Sequence, residues 1–218
     1  MQVAILVYDG VSTAEALGPY EVLRRVDGVE ARFVARRPGP HTAHGAPGVL
    51  VADRSLTEVP DPDVAFVPGG FGTRRLMEDD DILWWLRGVR GSAPWIAAVS
   101  TGSMILGAAG VLEGVEATTH WLVLDELAAM GAVPRDDRIV EHEGVITAAG
   151  GSSAVEVAFR LAEQVGGREL AAQLRNTLAL SGQVDLEPPA STPPTFLARK
   201  AAISAALMAE DELEPYAG

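Results

Sequence analysis

The sequence predicts an α/β fold in which a mostly parallel sheet carries helices on both faces. Short apolar runs of strand length, AILV, VAFV and WIAAV among them, alternate with segments of helical periodicity along most of the 218 residues. Glycine- and serine-rich turns, PGGFG, VSTG and AAGGSS, stand where three such runs pass into the next helix. With 48% hydrophobic and 22% charged residues, the chain can bury one large core.

Residues 3–8 read as a buried strand and Asp9-Gly10 as a turn. Residues 12–25 read as a helix capped by Ser12 or Thr13, with Glu15 in its first turn. A second strand covers 29–35, and the Pro/Gly/His-rich loop RRPGPHTAHGAPG then leads to VLVAD, an edge strand or hairpin arm. Residues 64–67 form a strand ending at PGGFG, and the acids of 78–81 suit the start of the helix ILWWLRGV. Residues 95–99 form the strand that delivers Ser100.

After the next helix come ATTHW and the amphipathic VLDELAAMG, then two short strands, 138–141 and 145–147, turning about Glu143-Gly144. AAGGSS opens a helix over 154–165, and 168–180 reads as another. Residues 181–194 are a linker by composition, and 196–212 return to helical spacing. The expected organisation is one domain over 1–180, followed by a Pro-rich linker and helical tail over 181–218.

In such a fold ligands sit at the carboxyl ends of the strands, where Glu15, PGG, Ser100 and AAGGSS all fall. Ser100 stands at a strand-to-helix turn with Ala98 and Gly102 two places to either side, the pattern of a nucleophile elbow. PGGFG lacks the Lys-Ser/Thr of a phosphate-binding loop and is no dinucleotide fingerprint. Trp84, Trp85 and Trp121 read as packing residues, Trp121 also as a pocket wall.

Composition removes several function classes. A formal net charge of -13 argues against a nucleic-acid partner, and the nearest approach to a basic cluster is the pairs Arg24-Arg25, flanked by acids, and Arg36-Arg37. The absence of cysteine excludes disulfides, thiolate metal sites and thiol chemistry in this chain. His41, His44 and His142 lack metal-ligand spacing, so no metal site is expected. MQVAILVYDG lacks a basic leader and reads as the first strand, and no stretch reaches a membrane-spanning length, which predicts a soluble cytoplasmic protein.

Three ordered runs, VPGGFG, AAVSTGSMILGAAGVLEGVEATTHW and ITAAGGSSAVEVAFRL, resemble the ThiJ/PfpI superfamily, the class I glutamine amidotransferase-like group. Its isonitrile (isocyanide) hydratase branch is similar in the T-G-S and A-T-T-H-W runs and the early LGPYEV. The resemblance covers residues 1–180 and leaves the tail outside. It implies a flavodoxin-like three-layer sandwich, a homodimer, no cofactor, and addition of water to an isonitrile to give an N-substituted formamide. By position it places Ser100 where the family has its reactive cysteine, Glu15 as the carboxylate that reaches it, and His120 as a histidine near the nucleophile. It makes the N–H groups of Gly70 and Thr101 the anion holders, and Gly69, Trp121, Gly151 and Ser152 the pocket walls.

Serine in place of cysteine changes the chemistry. A helix terminus contributes about 0.3 to 2 kcal/mol, enough to help ionise a thiol but not an alcohol. Ser100 therefore needs a base, Glu15 or His120, the latter oriented by Asp125, Glu126 or Glu15. Alternatively Glu15 moves the proton while Ser100 only hydrogen-bonds substrate or water, which suits hydration, hydrolysis or isomerisation. Two further readings stay open: a non-catalytic binding or sensor protein, and a Cys-to-Ser variant of an active enzyme. An AraC-type regulator needs a basic DNA-binding domain that the acidic tail does not supply, and an α/β-hydrolase esterase would leave only His142 as its histidine, after an acid such as Asp125.

Overall fold

The computed structural model describes residues 1–45 and 48–178, so the linker and tail expected over 181–218 lie outside the described residues. In chain order the first half contains β1 (Gln2–Leu6), α1 (Thr13–Leu23), β2 (Glu30–Ala35), β3 (Gly39–Thr42), β4 (Val49–Ala52), β5 (Arg54–Ser55) and β6 (Val64–Val67). The chain continues through α2 (Thr73–Leu76), α3 (Asp80–Ser92), β7 (Trp95–Val99), α4 (Gly102–Ala108) and β8 (Glu116–Ala117). The last described elements are α5 (Leu124–Ala129), β9 (Val133–Pro134), β10 (Ile139–His142), β11 (Val145–Ala148) and α6 (Ser153–Thr177).

Seven strands form one sheet in the order β10-β11-β7-β6-β1-β2-β5, parallel throughout except for the β10/β11 hairpin. Register fixes the centre: Ile5 lies beside Phe33 and Phe66, and Phe66 beside Ala97. Residues 64–67 and 96–99 are all buried, as befits strands covered on both faces. One helix layer pairs α1 with α6, and α3 and α4 cover the other face. This is the flavodoxin-like three-layer α/β fold, with helices on both faces of a mostly parallel sheet.

Chain order reverses at β1, whose neighbours are β2 on one side and β6 on the other. Such a switch point opens a crevice between the loops that leave adjacent strands. The loops after β1, β6, β7 and β11 therefore converge on one rim.

Three readings are corrected. The Pro/Gly/His-rich loop contains β3, a strand because β4 pairs with it antiparallel, Gly39 beside Ala52 and Thr42 beside Val49. The two helices expected after AAGGSS, by contrast, are present within α6 and meet at a kink where Gly167 is non-helical (φ 80°, ψ 172°). Ser12 stands at the start of α1, but its side chain makes no capping bond; its N–H donates to Gly69 O at 2.8 Å instead. Of the two tryptophans of α3, Trp85 is buried and donates to Val59 O at 2.8 Å, whereas Trp84 is 73% exposed and packs little.

Candidate active site

Ser100 takes φ 56°, a left-handed conformation that costs a non-glycine residue about 1–3 kcal/mol and that persists only where the surroundings enforce it. Those surroundings are visible. Its N–H donates to Ala148 O at 2.8 Å, and its carbonyl accepts the Thr119 hydroxyl at 2.8 Å and Ser103 N–H at 3.2 Å. Gly102 lies against β6, where a Cβ would meet Val67 O at 2.2 Å, so only glycine lets α4 start this close. The elbow expected from the sequence is present, with Ser100 buried at its tip.

Glu15 leaves the polar end of α1 and buries its carboxyl among backbone amides. Gly69 N–H donates to Oε2 at 2.9 Å and Gly151 N–H to Oε1 at 3.1 Å. Burial pushes its pKa up, and the two N–H bonds, Gly151 first, pull it back only in part.

Serine and carboxyl border one small space, too tight beside Gly69 and Gly150 for a side chain on either glycine. A Cβ on Gly69 would lie 2.9 Å from each of Glu15 Oε2, Ser100 Cβ and Thr101 N. A Cβ on Gly150 would lie 3.2 Å from Ser100 Oγ and 3.6 Å from Glu15 Oε1. The Thr101 nitrogen, which makes no hydrogen bond among the described residues, borders the same space. Gly70 N–H differs: it already donates to Thr101 Oγ1 at 3.0 Å, and that hydroxyl lies 3.2 Å from Gly70 O. An anion reaching the Gly70 amide must displace the threonine hydroxyl.

The other named residues have partners of their own. His120 starts the short turn over Trp121–Val123; its Nδ1 accepts Leu122 N–H at 3.3 Å, and burial lowers its pKa. That partner leaves the proton on Nε2, a donor rather than a base. Its ring packs beside Trp121, centroids 5.5 Å apart. Ser152 is exposed and accepts from Arg138 Nη2 at 3.1 Å, so its side chain faces the surface. His142 Nδ1 accepts Glu116 N–H at 3.0 Å and so ties β10 to β8. Ser100 Oγ itself forms no hydrogen bond among the described residues, and neither Glu15 nor His120 acts on it as a base in this state.

Three residues at the site carried no signal of their own in the sequence. Thr119 supports the elbow carbonyl, Tyr8 OH donates to Pro68 O at 2.8 Å, and Ser153 Oγ bonds Gly150. The threonine stands within ATTHW, a run recognisable as a motif but not as a support for Ser100. Among the described residues no group of three or more His, Asp or Glu side chains is arranged to hold a metal ion, and no helix is long and apolar enough to cross a membrane.

The chain is 35% identical over 172 residues to an isonitrile hydratase of Pseudomonas putida, covering 78% of this chain and 75% of that protein. It is 31% identical over 134 residues to a glutathione-independent glyoxalase of Caenorhabditis elegans, covering 61% of this chain and 72% of that one. A ThiJ/PfpI family protein from Pseudomonas syringae superposes with a TM-score of 0.83 at 27% identity, over 95% of this chain and 87% of that one. The family model for DJ-1/PfpI matches residues 1–164, which include Glu15, the PGGFG loop, the Ser100 elbow and AAGGSS, and the chain belongs to the DJ-1/PfpI family.

Proposed function

We propose that this protein is a cofactor-independent hydratase acting on a small molecule of the isonitrile class, with Glu15 as the proton-transferring group. The observation that carries the reading is the Glu15 carboxyl itself, buried, raised in pKa and facing the same space as Ser100 Oγ. The likeness to an isonitrile hydratase supplies the substrate class.

The geometry suits proton transfer better than attack by serine. In its acid form Glu15 gives a proton to the terminal isonitrile carbon. A water held by Ser100 Oγ bonds to that carbon through its oxygen and returns a proton to the carboxylate, and the hydroxyimine moves its hydroxyl proton to nitrogen to become the formamide. Thr101 N–H faces the oxygen as it forms. Glu15 ends as it began, and no serine anion is needed.

The experiment is hydration of an aryl isonitrile by the native chain, Ser100→Ala, Ser100→Cys and Glu15→Gln. Turnover by the native chain that falls about 10²–10⁴-fold in Glu15→Gln supports the reading. Activity confined to Ser100→Cys overturns it and makes the scaffold one that needs a thiol. The Ser100 hydroxyl, unpartnered among the described residues, favours a second reading, a binding or sensor protein, for which the same ligand would bind to the native chain without being consumed. Assembly as a cytoplasmic homodimer belongs to the proposal; the exposed Val49 and Val51 of β4 offer apolar surface for it.

A further inference from the structure

Both oxygens of Glu15 end a chain of the same construction. Tyr8 OH donates to Pro68 O at 2.8 Å, and the N–H of that same peptide unit, on Gly69, donates to Oε2 at 2.9 Å. Ser153 Oγ donates to Gly150 O at 2.7 Å, and the N–H of that peptide unit, on Gly151, donates to Oε1 at 3.1 Å. A hydrogen bond accepted by a carbonyl withdraws density through the conjugated C–N bond and makes the N–H a better donor, so each hydroxyl strengthens the grip on the carboxylate from the far side of a peptide.

The two hydroxyls are built in rather than incidental. Tyr8 is 4% exposed and Ser153 fully buried, and Ser153 Oγ is fixed further by accepting Gly150 N–H at 3.1 Å. Burial, and then the charge of Glu15, push the Tyr8 phenol well above its ordinary pKa, so it remains a donor. Around Glu15 the PGGFG and AAGGSS loops contribute backbone, and the elbow contributes the Ser100 hydroxyl. The charges of the neighbouring helices are spent elsewhere: Glu156 and Arg160 of α6 pair with each other, with Arg138 and with Glu141, and Glu21 of α1 pairs with Arg24. Tyr8, two residues beyond β1, is a titratable group that interacts with the carboxyl.

We propose that Tyr8 and Ser153 are positioning residues that, acting through the Pro68–Gly69 and Gly150–Gly151 peptides, fix the orientation of the Glu15 carboxyl and set its proton affinity. The inference deepens the reading of Glu15 as the proton-transferring group and rests on it for its catalytic meaning. Tyr8→Phe keeps the ring and Ser153→Ala keeps the size, each removing one hydroxyl from one chain.

The test is a carbon-13 NMR titration of the side-chain carboxyls in the substrate-free protein, with the Glu15 signal identified by its loss in Glu15→Gln. Each variant should raise the Glu15 midpoint by about half a pH unit, the two shifts should add because they act on different oxygens, and Ser153→Thr should restore the native value. An unchanged midpoint in Tyr8→Phe overturns the proposal for that chain, and this variant decides alone if Ser153→Ala does not fold. The titration needs no turnover, so the hydratase reading can fail while the midpoints still move. If both hold, the pH profile of kcat shifts with the midpoint.

Discussion

Gly102 packs so tightly under the elbow that a Cβ on it would lie 2.2 Å from the carbonyl oxygen of Val67. The obstacle is backbone in a fully buried strand, which cannot turn aside as a flexible side chain would. Gly102→Ala is therefore expected to destabilise the domain by about 3 kcal/mol, lowering Tm by roughly 6–12 °C in thermal unfolding.

Gly150→Ala fills the space and also strains its loop. The residue has φ 131°, a conformation that disfavours any side chain, and the added methyl lies 3.2 Å from Ser100 Oγ. Loss of isonitrile turnover, with KM raised at least about tenfold, is the expected result, measured beside Gly88→Ala in α3. Gly88 faces open space within its helix, so alanine there should stabilise by about 0.5–1 kcal/mol and leave kcat/KM unchanged.

Proton donation by Glu15 predicts the sense of the pH dependence. Only the acid form can start the reaction, so kcat/KM should fall as pH rises through the raised Glu15 pKa. Stability follows the same group. The folded state holds this proton to higher pH than the unfolded chain, so unfolding free energy falls as pH climbs from the ordinary glutamic acid range to the native value, then levels. Urea unfolding of the native chain, referenced at each pH to Glu15→Gln, should show that decline.

A homodimer would run in light scattering at twice the 22.9 kDa of the chain. Val51 is 58% exposed on β4, and Val51→Lys should return the protein to monomer mass without lowering Tm by more than about 2 °C.

Much of the fold was legible because its strands are buried on both faces and announce themselves as apolar runs. Residues 64–67 and 95–99 were read with the bounds that β6 and β7 have. β3 was not, because GPHT has no strand preference of its own and is extended only through pairing with β4. At the site, the elbow and Glu15 were readable from small residues at fixed offsets and from motif position. The support beneath them was not. Tyr8 looks like the last apolar residue of a strand, and Ser153 like an ordinary residue at a helix start, until the fold sets them behind two peptide carbonyls. His120 shows the converse: a reactive residue type in a motif, whose Nδ1 is occupied by the turn it begins.

The bond from Gly151 to Glu15 joins positions 136 residues apart, and that from Gly69 spans 54. Contacts of such reach form late, since the intervening chain must lose its freedom before they return anything. Without those two docked loops the carboxyl would stand in water with an ordinary affinity for protons. The raised proton affinity of Glu15 is thus a property of the assembled domain, not of the helix that carries it.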